Sequence, residues 1–439
     1  MRFGSRTAHR RALALAWPMI AANVTVPLVG AVDTAVLGHL PEAHFLGASA
    51  LGAVVFSFLY MAFAFLRTGT TGPVAQSHGA GDMVEVKATL YRALLIAGSI
   101  GLALIVLQIP IRWIAFEILH ASPEVLENAK TYVAIRIWGA PAVLVNFALL
   151  GWFLGLQNAR IGLFLQIVIN VVNLALDLFF VLGLGWTIAG VAWATTIAEY
   201  SGAILGLALA LRTIGGMTGR VDRARLVDPI KLGRLIALNR DIFIRTLALI
   251  VCLSSFTALG ARFGDLTIAA NAVLVTFNSF MAFALDGFAQ AAESLVGRAI
   301  GARDRVELDD CLGATFVWSI GVAGAFVLAY GLGGPMLISV LTDIPEVRTE
   351  ALRYLPWAAA MPVIAVWSFQ LDGVFWGAAR GSDMRNTMLL AAACFGATAW
   401  IAVPRIGNDG IWLALCVLMV VRAVSLGLRL PSLLRTVGR

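Results

Sequence analysis

The chain reads as an all-α integral membrane protein with twelve transmembrane helices in two six-helix lobes, related by a pseudo-two-fold axis along the membrane normal. Three observations predict this. Of its 439 residues, 60% are hydrophobic and only 13% charged, against roughly 25% charged in soluble domains. Apolar runs of about 20 residues, enough to cross a bilayer, recur from end to end. The two halves also repeat each other at a nearly fixed offset of 222 residues.

Hydropathy places the first span at 13–38, behind a basic N-terminus (Arg2, Arg6, Arg10, Arg11). That pattern mimics a secretory signal, but the run is too long and lacks a clear cleavage site, so the span is expected to be retained. It contains Asp33, with Asn23, Val26, Gly30 and Leu37 on the same helical face. Pro27 removes the usual donor to the Asn23 carbonyl, which predicts a kink and makes Pro27 the expected hinge. Spans 46–77, 89–110 and 133–156 follow, the first of them carrying Arg67. The fifth, 161–183, has Gln166, Asn170, Asn173 and Asp177 at steps of 4, 3 and 4, a single polar stripe. The sixth, 188–211, adds Thr195, Thr196, Glu199 and Tyr200.

The second six spans are 240–262, 271–299, 311–334, 354–378, 385–404 and 409–429. Asp286, Gln290 and Glu293 form a stripe on the eighth span, and Asp372 sits within the tenth. The expected domains are a first lobe (1–211), a basic linker (212–239) and a second lobe (240–439). The linker region holds Gly215, Gly216, Gly219 and Pro229.

An even number of spans puts both termini on one side. Lys and Arg number 22 on that side and 7 on the other, with 3 inside spans, so the termini are expected to be cytoplasmic. The net charge of +7 is compatible with nucleic acid or anionic lipid. Its concentration in membrane-flanking loops points to the lipid bilayer and to no nucleic acid. The repeat covers five regions. Gly38 matches Gly260, Gly79-Ala80 and Asp82 match Gly301-Ala302 and Asp304, and Pro123-Glu124-Val125 matches Pro345-Glu346-Val347. Tyr132 matches Tyr354, and Gly151 and Gly155 match Gly373 and Gly377. Six helices per half make the repeat parallel.

A charged residue at mid-bilayer costs about 2.5–3.5 kcal/mol on the insertion scale. Asp33 and Asp177, expected to have no basic residue at matching depth, therefore call for a use. Two neighbouring carboxylates can take up a proton; with amide oxygens and a Thr hydroxyl they can equally hold sodium. Arg67 is a candidate to counter one acid in a structural pair. The acids have no repeat: Ser255, Phe395 and Ala399 stand at the positions matching Asp33, Asn173 and Asp177. No GxxxxGK[ST] loop, metal-spaced histidines or Gly-x-Ser-x-Gly elbow occurs, and the four cysteines have no paired spacing. These features exclude a built-in nucleotide engine and argue against an enzyme, leaving an ion gradient as the energy source.

The runs WPMIAANVTVPLVGAVDTAVLGHL (Trp17–Leu40), RTGTTGPVAQSHGAGD (Arg67–Asp82), LLGWFLGLQNAR (Leu149–Arg160) and LDGVFWGAARGSDMRNT (Leu371–Thr387) resemble the multidrug and toxic compound extrusion (MATE) family. The similarity is closest to its DNA-damage-inducible protein F (DinF) branch. The resemblance implies a bacterial inner-membrane antiporter, exporting small organic compounds against inward protons or sodium, with no other cofactor, and acting as a monomer. It places the first-lobe cation site on Asp33, Asn173, Asp177 and Thr195, which would also be the ligands if sodium binds. Asn170, Glu199, Arg67, Asp286 and Asp372 are accessory polar candidates, Asp372 matching a second-lobe acid of the family. That acid's partner on the seventh helix is missing, since Ile242–Leu259 has no Asp or Glu, which favours protons. Alternatives are sodium coupling, a flippase for lipid-linked precursors, and a membrane receptor or scaffold.

Overall fold

A computed structural model of the protein describes residues 3–38, 42–118, 121–435 and 437, less the side chains of 26–29, 31, 35, 38, 43 and 118. All regular structure among the described residues is helical. In the first half the α-helices are α1 (Arg6–Gly38), α2 (Ala43–Phe63), α3 (Phe65–Gly79), α4 (Met83–Val106), α5 (Gln108–Ile118), α6 (Pro123–Arg136), α7 (Ala140–Gly155), α8 (Ala159–Asp177) and α9 (Ile188–Gly215). They continue with α10 (Arg223–Leu226), α11 (Pro229–Gly260), α12 (Asp265–Gly301), α13 (Arg305–Leu341), α14 (Pro345–Gly377), α15 (Gly381–Ile406) and α16 (Asn408–Leu434). Among the described residues 11 helical stretches are long and apolar enough to cross a membrane, and α1 carries the remaining expected span. The expected hinge, Pro27, lies within α1, with its side chain outside the described ones.

The first half breaks its spans where the second half does not. The second span turns at Ala64 between α2 and α3, and the third at Leu107 between α4 and α5. Between α6 and α7 a 3-10 turn covers Ile137–Gly139. Pro141 explains it: without an N–H it cannot serve the Ile137 carbonyl, so the Ala140 N–H bonds there instead, one residue early. The fifth span ends in a π-helical turn, Leu178–Gly183. Their counterparts α12, α13 and α14 run uninterrupted, even across Pro335, Pro356 and Pro362.

The offset of 222 recurs in local geometry. Asp82 accepts the Glu85 N–H at 3.0 Å and starts α4; Asp304 accepts the Glu307 N–H at 2.9 Å and starts α13. Left-handed backbone occurs at Gly81 and Arg303, and again at Gln157 and Ala379, each pair 222 apart. A Cβ on Gly151 would lie 2.2 Å from the Arg67 carbonyl oxygen, and one on Gly373 would lie 2.1 Å from that of Ala289. Both are close crossings that only glycine permits. Gly373→Val is expected to separate α14 from α12 and to cost at least about 1–3 kcal/mol, read as a lower melting temperature in detergent; an unchanged melting temperature would rule out the close crossing.

The chain forms two compact units, Ala21–Leu232 and Met1–Ile20 with Gly233–Arg439. These limits differ from the lobes expected at 1–211 and 240–439, and side chains outside the apolar spans make contacts within each unit. In the second-half unit Arg11 pairs with Glu307 at 2.9 Å, which ties the start of α1 to α13. In the first-half unit the buried Lys87 Nζ donates to the carbonyls of Met217, Thr218 and Gly219 at 2.9, 3.2 and 2.7 Å. Arg92, also buried, donates to Leu226 at 3.1 Å and to Arg225. Glu85 takes Arg92 and Lys231 at 2.7 and 2.6 Å. Most of the expected linker is thus packed on α4.

Candidate functional site

The polar stripe of α8 arises from helical spacing, and its members divide into two pairs. Near its start, the Gln166 amide donates to Asn170, which donates to the Thr25 carbonyl of α1 at 3.1 Å. Asn170 therefore holds two helices together. Further along, Asn173 and Asp177 are 1 and 0% exposed. Thr195 of α9 and Asp33 of α1 are likewise buried, at 2 and 5%. The four residues named from the sequence come together in one polar interior.

Their hydrogen bonds define what the site can accept. The Asn173 amide donates to Thr195 Oγ1 at 3.2 Å, and that hydroxyl spends its proton on the Val191 carbonyl at 2.9 Å. Asn173 is thereby oriented with Oδ1 unbonded. Asp33 Oδ1 and both Asp177 carboxylate oxygens are also buried without a donor among the described residues. Asp33 and Asp177 lie within side-chain hydrogen-bonding reach of each other. Four desolvated oxygens without a donor are costly unless a cation completes them. One proton shared by the carboxyls would join them; a sodium ion would find Asn173 Oδ1 as a further ligand. Asp177 is the last residue of α8, directly before the π turn, an irregularity common at working sites.

One expectation fails. A basic residue does stand near the acids: Arg136, the last residue of α6, acts electrostatically on Asp33, Asp177 and Glu199. It is 9% exposed, its guanidinium lies 5.2 Å from the Phe56 ring centre, and its Nε and Nη1 have no hydrogen-bond partner among the described residues. The charge count of the sequence places Arg136 among the seven basic residues of the sparsely charged side, because it lies close to a span end. The available signal was a basic residue inside span 133–156, five positions before Pro141. Arg67, the expected counter-charge, forms no ion pair among the described residues. Glu199 is held by Asn146, whose amide donates to its carboxylate at 2.9 Å and its carbonyl at 3.0 Å.

The second-half unit treats its acid differently. Asp372 Oδ2 accepts from Arg245 and from Arg422, all three being buried. Arg245 also lies over the Trp376 ring at 5.0 Å and feels Asp286. Arg422 turns a second N–H to Met419 Sδ at 3.2 Å. Asp372, an accessory candidate from the sequence, is therefore held in an ion-pair fork by two guanidiniums.

The MatE family model matches the chain twice, over residues 18–179 and 242–397. The chain is 44% identical over 414 residues to DNA damage-inducible protein F of Escherichia coli (strain K12), covering 94% of this chain and 90% of that protein. It is 27% identical over 455 residues to a probable multidrug resistance protein NorM of Rhizobium meliloti (strain 1021), with 98% and 95% covered. A crystal structure of MATE in the bent conformation superposes with a TM-score of 0.87 at 19% identity, over 98% of this chain and 97% of that one.

Proposed function

The chain belongs to the MatE family of multidrug and toxic compound efflux transporters, and from that membership we propose that it exports organic compounds in exchange for inward protons bound at Asp33 and Asp177. The observation that carries this reading is the pair of buried carboxyls, in mutual reach, three of whose four oxygens have no donor among the described residues. An ordinary structural acid is paired, as Asp372 is. A coupling acid must instead be neutralised and released in turn, so its empty state lacks a partner.

Coupling further requires that ion and substrate favour different states of an alternating-access cycle, since a ligand shifts an equilibrium only by its differential affinity. The reading places the protein in the bacterial inner membrane with both termini in the cytoplasm, in keeping with the 22 to 7 distribution of basic residues. Sodium is the second reading, favoured by the unbonded Asn173 Oδ1. Against it, the second-half acid is already occupied by two guanidiniums. A flippase for lipid-linked phosphates is disfavoured for the same reason, because Arg245 and Arg422 are spent on Asp372.

The test is efflux of an organic cation from proteoliposomes under an imposed proton gradient and, separately, an imposed sodium gradient. Proton-driven efflux is expected, with no response to sodium at fixed pH. Efflux driven only by sodium would transfer the same residues to the second reading, and no response to either gradient would overturn ion coupling.

A further inference from the structure

The sequence count assigns seven basic residues to the sparsely charged side of the membrane, where the insertion bias works against them. Arg136 is accounted for in the site above. Two others, Arg112 and Lys130, line one groove between α5 and α6, of about 420 Å³, with Ile109, Trp113, Phe116, Glu117 and Leu126. None of Arg112, Lys130 and Glu117 forms an ion pair among the described residues.

The groove belongs at the membrane–water boundary. α5 begins as the third span, 89–110, ends, and α6 enters before the fourth, 133–156, starts. Ile109, Trp113 and Ile114 of α5 are 69, 67 and 52% exposed, an apolar face with the tryptophan that such boundaries favour. The groove therefore offers an apolar wall that faces acyl chains and, beside it, two cationic side chains and one carboxylate. An interior-facing salt bridge would have paired these charges with each other. A purely repulsive outer surface would have dispensed with the cations.

We propose that this groove is a phospholipid site whose occupant carries a phosphodiester next to a primary ammonium, an aminophospholipid such as phosphatidylethanolamine. The phosphodiester is the match for Arg112 and Lys130, through charge-assisted hydrogen bonds that are stronger than neutral ones. The ammonium is the match for Glu117, and the acyl chains run along Ile109, Trp113 and Leu126. A glycerol headgroup answers the two cations but leaves Glu117 without a partner. A choline headgroup brings a cation with no N–H to donate.

The experiment uses the full chain in detergent with added phosphatidylethanolamine, phosphatidylglycerol or phosphatidylcholine, reading retained lipid by native mass spectrometry. For the wild type, phosphatidylethanolamine is expected to be retained over the other two by a few-fold to about tenfold, the scale of one ordinary hydrogen bond's net contribution. Glu117→Gln should erase the preference over phosphatidylglycerol, and Arg112→Gln with Lys130→Gln should reduce retention of both. These side chains are partly or fully exposed, so basal efflux and melting temperature serve as controls for folding. Equal retention of the three lipids by the wild type would overturn the proposal. So would retention by the double variant that matches the wild type, or an undiminished preference in Glu117→Gln.

Discussion

Cells that depend on this transporter are expected to lose resistance to toxic organic cations completely when Asp33 is changed to Asn, while the protein stays folded. Asparagine keeps the shape and the hydrogen-bonding oxygen but cannot cycle between charged and neutral forms. Because Asp33 Oδ1 is buried without a donor among the described residues, the exchange removes a desolvation cost at that oxygen. The melting temperature should accordingly hold or rise as efflux falls to the level of cells lacking the protein. Efflux in proteoliposomes and thermal unfolding of the purified variant check the two halves. Full resistance in cells making normal amounts of the variant would contradict the coupling role of Asp33.

Asp372→Asn is expected to do the reverse. Removing this carboxylate leaves Arg245 and Arg422 buried with no anion between them, and breaking a buried pair from one side costs about 3–5 kcal/mol. The amount of protein reaching the membrane and its melting temperature should both drop. Adding Arg422→Met, which removes one of the stranded charges, should restore much of the loss. If Asp372→Asn melted like the wild type but failed to transport, the fork would be functional and the contrast between the two acids would disappear.

Most of the fold was legible in the sequence, because hydropathy and a constant offset are one-dimensional signals. So were Asp33, Asn173, Asp177 and Thr195, through helical spacing and the family pattern. What the sequence concealed was pairing across distance. Arg245 and Arg422 lie 127 and 50 residues from Asp372, and no periodicity links them. Arg136 was hidden by the uncertainty of a span end, where a few residues decide between loop and interior. The limits of the units escaped for a related reason. Lys87 reaches three carbonyls 130 to 132 residues away, and a backbone acceptor carries no sequence mark at all.

The left-handed turns that follow matching helices in each half have a practical corollary. Gly81 keeps the residue suited to its conformation, whereas Arg303, Gln157 and Ala379 hold φ values of 54, 62 and 55° with side chains attached. An L-residue in that region carries roughly 1–2 kcal/mol of torsional cost, part of which glycine repays in chain entropy. The bend is made by a residue other than glycine at three of these four sites. Anyone hardening this transporter for life outside a bilayer can begin at those three corners, none of which is among the residues of the candidate site.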